Sequence, residues 1–226
     1  MGMNVLISDR DIIDGCRNLV ILMDSSGSLR DQNRTGYIPV KNYVIDVIRL
    51  YYGNVTLTGG KKLAVVQFAQ TAEIVTQLGD YSDNRVEQAV ANVTQSKHLD
   101  GMTNVELGLN KAKEIIDNSD SSRESFVILF ISDGESNQGR NGSHVLNETL
   151  NDNYHVRAVF LTKTFIRMKH YTMRNVTLEH DPASECYVND FDDLSNAKYA
   201  RWAVGQVCQS DRVEACEKPN YMHVET

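Results

Sequence analysis

Leu19-Val20-Ile21-Leu22-Met23-Asp24-Ser25-Ser26-Gly27-Ser28 is an apolar run that ends abruptly in a carboxylate, a glycine and hydroxyls. Five consecutive apolar residues bounded by turn residues read as a short strand buried on both faces. A strand that finishes this way delivers the oxygens of Asp24, Ser26 and Ser28 to one point. Hard oxygens of this kind suit Mg²⁺ or Mn²⁺, which favour octahedral oxygen coordination. An ordinary helix N-cap or polar turn would also use Asp and Ser here. That alternative leaves two later segments unexplained. Asp100-Gly101-Met102-Thr103-Asn104 offers a hydroxyl before a helix, and Phe126-Val127-Ile128-Leu129-Phe130-Ile131-Ser132-Asp133-Gly134 offers a second carboxylate after a strand.

Strand and helix patterns alternate along the rest of the chain, which predicts an α/β fold around a mainly parallel sheet. Tyr37 to Tyr52 carries Val40, Tyr43, Val44, Val47, Ile48 and Tyr51 at helical spacing. Lys62 to Phe68 reads as a strand and Glu73 to Leu78 as its antiparallel partner. Helices are expected over Arg85–Val93, Val105–Ile116 and, briefly, near Val145–Leu150. Phe126–Ile131 and Val156–Leu161 read as buried strands. A final helix is expected over Leu194–Val207, carrying the lone Trp202. In open parallel sheets, ligands bind beyond the carboxyl ends of the strands. Asp24 and Asp133 both fall at that edge.

These residues together resemble the von Willebrand factor type A domain (the integrin I-domain family) and its metal-ion-dependent adhesion site. The family pattern is D-x-S-x-S, then Thr in a G-x-T turn, then Asp in a strand-D-G turn. Asp24, Ser26, Ser28, Thr103 and Asp133 occupy those positions. The resemblance covers residues 16–208, leaving 1–15 and 209–226 as flanks. It implies a doubly wound, Rossmann-like sheet with one antiparallel edge strand and helices on both faces, in which Tyr187 to Leu194 resembles the last strand and the turn that starts the final helix. It also implies direct or near-direct ligation by Ser26, Ser28 and Thr103, with Asp24 and Asp133 acting largely through water. Mg²⁺ is the implied ion, with Mn²⁺ or Ca²⁺ as alternatives. The implied function is adhesion: neutral hydroxyls leave the ion electrophilic, so a Glu or Asp of a partner can complete its coordination. The partner would be an extracellular protein presenting a carboxylate, or a matrix protein such as a collagen.

The four cysteines are Cys16, Cys186, Cys208 and Cys216. The family often ties its domain ends together, which implies a Cys16–Cys208 bridge and leaves Cys186 and Cys216 to pair. Four cysteines allow three connectivities, and four reduced thiols in a cytosolic protein remain the alternative. No C-x-x-C spacing points to zinc or thioredoxin-like chemistry. Sequons begin at Asn33, Asn54, Asn92, Asn141, Asn147 and Asn175. Six exceeds the about two or three that chance would place in such a chain. Sequons and cysteines together predict a secreted or extracellular protein, although the start Met1-Gly2-Met3-Asn4-Val5-Leu6 has neither a signal peptide nor a myristoylation pattern.

Composition narrows the remaining classes. Lys and Arg total 23 against 30 Asp and Glu, a net charge of -7. That balance argues against general nucleic-acid binding, which needs a basic surface. No apolar run approaches the ~20 residues needed to span a bilayer. Gly59-Gly60-Lys61-Lys62 is no phosphate-binding loop, and the six His form no ligand set. A D-x-D phosphotransferase would need a second carboxylate as general acid where Ser26 stands. The expectation is a non-enzymatic binding module, with a structural matrix or assembly domain as the alternative. The basic stretch Lys163, Arg167, Lys169, His170 and Arg174 follows the strand Val156–Leu161. It would attract acidic partners at the metal edge or simply form a solvated face.

Overall fold

The alternation of inward and outward side chains along each strand requires two cores, one on either side of the sheet. The computed structural model describes residues 16–29, 37–55, 61–79, 83–119, 125–133, 138–139, 156–163, 185–188, 190–208 and 216. Its strands are β1 (Asn18–Asp24), β2 (Leu63–Phe68), β3 (Ala72–Gly79), β4 (Phe126–Ser132), β5 (Val156–Lys163) and β6 (Glu185–Val188). They form one six-stranded sheet in the order β3-β2-β1-β4-β5-β6. Every pairing is parallel except the hairpin of β2 with edge strand β3.

The helices of the described residues are α1 (Tyr37–Val55), α2 (Asp83–Gln95), α3 (Val105–Asp117) and α4 (Ala197–Cys208). Leu19, Ile21 and Met23 of β1 face a core shared with α1, α2 and α4, whereas Val20 and Leu22 face a second core completed by α3. Val127, Leu129 and Ile131 of β4 join the first core, and Phe126, Ile128 and Phe130 join the second. This division is why β1 and β4 read as unbroken apolar runs. The order of strands reverses between β1 and β4, so the connections leaving these two strands diverge and open a crevice at their carboxyl ends.

Burying α1 also buries its tyrosine hydroxyls, which then need partners. Tyr51 donates to the Arg17 carbonyl at 2.8 Å, Tyr52 to that of Gly79 at 3.2 Å and Tyr43 to that of Tyr199 at 3.2 Å. The helix is thereby keyed to the sheet and to α4 at fixed points. Two disulfides complete the frame, Cys16–Cys208 and Cys186–Cys216. The first closes a loop of sequence separation 192, worth about 5 kcal/mol in the chain-entropy account. The second brings Cys216 against the α1-side core.

The expected doubly wound sheet with one antiparallel edge strand is what the chain adopts. The final helix begins at Ala197 rather than Leu194. Phe191–Ser195 winds as a tighter 3-10 turn, with the Asn196 amide bonding to the Asp193 carbonyl at 3.0 Å. The helix expected near Val145–Leu150 lies outside the described residues.

Gly108 of α3 sits so close to β2 that a Cβ would stand 2.9 Å from Cγ of Phe68. Phe68 is fully buried and stacks against Phe130 with ring centroids 5.3 Å apart, so it has little room to yield. Gly108→Ala should therefore lower stability by about 1–2 kcal/mol by overpacking, although Ala would favour an isolated helix by about 1 kcal/mol. Denaturant midpoints of the two proteins give the sign directly; a variant as stable as the parent would show that Phe68 moves aside.

Candidate metal centre

Asp24 is the last residue of β1 and is completely buried. Its two carboxylate oxygens are held separately. Oδ1 accepts the Ser26 amide at 2.8 Å, and Oδ2 accepts the Ser132 hydroxyl at 2.6 Å. The first bond turns the chain immediately after the strand, as Asp does in local turns. The second follows from register: Met23 pairs with Ile131, so the next residues, Asp24 and Ser132, face each other at the sheet edge. Burial pushes the Asp24 carboxyl up to about 7, and the negative charge of Asp133 pushes in the same direction. The hydrogen bonds from Ser132 and Ser26 oppose this without overcoming it.

The turn Gly27–Leu29 then brings Ser26 Oγ and Ser28 Oγ within 2.8 Å of each other. Ser26 is buried and Ser28 is exposed, so the pair spans the crevice from floor to rim. Three loops are laced together around it. The Gly27 amide donates to the Gly101 carbonyl at 2.8 Å, and the Asp100 amide to the Ser25 carbonyl at 2.9 Å. The Gln138 amide donates to the Thr103 carbonyl at 3.1 Å, tying the loop after β4 to the loop before α3. Gly27 is required by this closeness, because a Cβ would lie 2.8 Å from Oδ1 of Asp100 and 3.1 Å from the Gly101 carbonyl. Gly101 has φ +84°, a left-handed conformation natural to glycine.

Thr103 is buried at the end of that loop, and Asn104 caps α3 by accepting the Leu107 amide at 3.2 Å. Asp133 follows β4 directly and is half-buried. Asp24, Ser26, Ser28, Thr103 and Asp133 thus come from three separated segments to the same edge of the sheet. Among the described residues no three of His, Cys, Asp or Glu gather as a metal cluster. The donors on offer are therefore hydroxyls and carboxylates, the chemistry of a hard divalent cation.

Some contributors were missed by sequence reasoning. The sequence pattern assigns Ser132 no role and ends its strand at Ile131, yet Ser132 is the last residue of β4 and its hydroxyl fixes Asp24. The pattern leaves Ser25 without a role, yet its hydroxyl accepts the Leu99 amide at 2.8 Å. Strand register carries the signal for Ser132; nothing local carries it for Ser25, whose partner lies 74 residues away. Of the sequons, Asn54 falls at the end of α1 and Asn92 is half-buried within α2. Asn33, Asn141, Asn147 and Asn175 lie outside the described residues, as do Arg167, Lys169, His170 and Arg174 of the basic stretch; Lys163 ends β5.

Comparison with known proteins agrees with this architecture. The sequence pattern of the von Willebrand factor type A domain matches residues 18–198. No curated protein matches the chain in sequence. Among solved structures, proximal thread matrix protein 1 from the mussel byssus is similar at a TM-score of 0.70 and 17% identity, covering 86% of this chain and 49% of that one. Another structure of that protein, described as having a zinc-occupied MIDAS motif, is similar at 0.70 and 16% identity, covering 86% and 48%. A von Willebrand factor type A protein from Catenulispora acidiphila is similar at 0.68 and 19% identity, covering 86% and 43%. The present chain spans about half the length, or less, of each of these. At such identities the structural likeness speaks for the fold, while the sequence match extends over most of the chain: the protein belongs to the von Willebrand factor type A domain family, whose members generally serve adhesion and protein–protein interaction.

Proposed function

We propose that this chain is an extracellular, non-enzymatic binding module in which a divalent cation, Mg²⁺ in the first instance, engages a carboxylate of a partner protein. The observation that carries the reading is the meeting of Asp24 and Asp133 beside three hydroxyl-bearing residues at one sheet edge. A buried carboxyl pushed up to about 7 by burial and by a second carboxylate is a site where a cation would be favourable. Ser26, Ser28 and Thr103 would hold the ion through hydroxyls. Both oxygens of Asp24 are already engaged by the Ser26 amide and the Ser132 hydroxyl, so Asp24 suits an outer role through water. A bound ion would supply an open coordination position for an incoming carboxylate, because neutral hydroxyls leave much of its charge uncompensated.

The chain's own part is to keep that position rigid and to shape its rim. Met102 lies next to Thr103 and is 50% exposed, offering apolar surface beside the site. Two disulfides suit an oxidising, extracellular setting. No helix of the described residues is long and apolar enough to cross a membrane. The second reading is a structural matrix domain whose metal site is architectural or covered. It draws support from the similar fold of a byssal thread matrix protein. A matrix protein partner such as a collagen fits either reading.

The two readings and the site itself can be tested with Asp24→Asn, which keeps the shape of the side chain and can still accept from Ser26. A carboxyl raised in the folded chain binds protons on folding, so its contribution to stability is full below its ordinary value near 3.8 and is lost as pH rises through about 7. In chelator at pH 8, Asp24→Asn should melt a few degrees above the parent, as about 1 kcal/mol would give in a domain of this size. At pH 5 that advantage should shrink. A variant that melts lower at both pH values would mean that Asp24 is not held under electrostatic strain.

Calorimetry then addresses the metal. The parent should bind one Mg²⁺ or Mn²⁺ per chain, and the folded Asp24→Asn protein should bind at least ten-fold more weakly. Partner capture should be lost in chelator. Metal binding with chelator-insensitive partner binding would favour the structural reading, and no binding by the folded parent would remove the metal from both.

A further inference from the structure

We propose that His98 is the positioning residue of the metal loop, holding the turn Ser26-Gly27-Ser28 in its ligating shape; this rests on the metal reading above. His98 Nε2 stands 2.9 Å from the Ser26 carbonyl, 72 residues away in sequence. A carbonyl oxygen can only accept, so Nε2 carries the proton and donates it. The accepting carbonyl belongs to Ser26, whose hydroxyl stands 2.8 Å from that of Ser28, and it also receives the Leu29 amide at 3.2 Å. The neighbouring bonds from Leu99 and Asp100 reach only Ser25. His98 thus adds a side-chain contact at Ser26, between the backbone bonds made at Ser25 and at Gly27.

The ring itself is braced. It lies against Tyr37, the first residue of α1, with centroids 4.7 Å apart and planes tilted by 36°. Tyr37 in turn donates to Oε1 of Gln67 at 2.9 Å and lies 3.0 Å from the Ser96 hydroxyl. Lys41, one turn further along α1, donates to the carbonyls of Thr94 at 2.6 Å and Ser96 at 2.9 Å. The start of α1 and the end of α2 thus form one block, and His98 is the arm that this block extends to the metal loop. An imidazole that merely filled a gap would not need a donor aimed at the Ser26 carbonyl.

The test separates the donor from the ring. His98→Phe keeps an aromatic face for Tyr37 and removes the donor, whereas His98→Gln supplies a donor of similar reach. Loss of one hydrogen bond should weaken Mn²⁺ binding by about ten-fold in His98→Phe, and His98→Gln should recover most of it. In chelator, exchange of the Gly27 amide should be faster in His98→Phe than in the parent, with little change at core amides of β1. If His98→Phe does not fold, the same comparison is made between His98→Gln and His98→Met, which share length and differ in the donor. A donor-free variant with parental Mn²⁺ affinity and parental Gly27 exchange overturns the proposal. If the parent itself binds no Mn²⁺, the metal reading fails separately, and Gly27 exchange alone decides whether His98 positions the loop.

Discussion

The structure turns on a carboxylate kept at the buried end of its central strand. Asp24 has no exposure, and burying a charge without a compensating partner is among the most costly things a fold can do. Two hydrogen bonds from Ser26 and Ser132 moderate that cost but leave the carboxyl raised to about 7. Such a residue persists only where the surrounding framework is stable enough to hold it and where something is gained from its position. Both conditions trace back to β1, which is paired on both sides and covered on both faces.

The stability of the framework explains how three separate loops can be so closely joined. Each loop starts or ends on an element whose position is fixed by packing: β1 and β4 by register, α3 by the approach of Gly108 to Phe68 and by the Asn104 cap. Loop closure then needs only short backbone bonds, such as Gly27 to Gly101 and Gln138 to Thr103. Glycine at position 27 is a consequence of that closeness rather than of turn geometry alone, because the neighbouring loop occupies the space a side chain would fill.

How far the sequence could be read follows from the same division. β1 and β4 were legible because burial on both faces leaves unbroken apolar runs, and α3 because its apolar residues recur at helical spacing. The edge positions of Asp24, Ser26, Ser28, Thr103 and Asp133 were legible because each follows a strand or precedes a helix, in an order that matches a family pattern. Ser132, Ser25 and His98 were not, since their roles depend on strand register or on contacts made across 72 residues or more. The start of α4 was misplaced because a 3-10 turn and an α-helical turn share nearly the same apolar spacing over Phe191 and Leu194. Local pattern specifies elements; it does not specify which side chain closes the gap between two of them.

The disulfides bear on whether such a site can be regulated from a distance. A helix that slides by one turn moves about 5.4 Å along its axis. In this chain the last residue of α4, Cys208, is bonded to Cys16, two residues before β1, and the Arg17 amide also donates to the Val207 carbonyl at 3.2 Å. The strand so anchored is the one that ends in Asp24. Further on, Cys216 is bonded to Cys186 of β6, returning the chain to the same sheet. Tyr43 adds a hydrogen bond from α1 to the first turn of α4 at Tyr199. A large axial shift of α4 would therefore have to stretch a covalent tie at its end and break a buried hydrogen bond at its start. The economical consequence is a site whose geometry is set by a rigid frame, with adjustment confined to the loops that carry Ser28 and Met102 at the exposed rim.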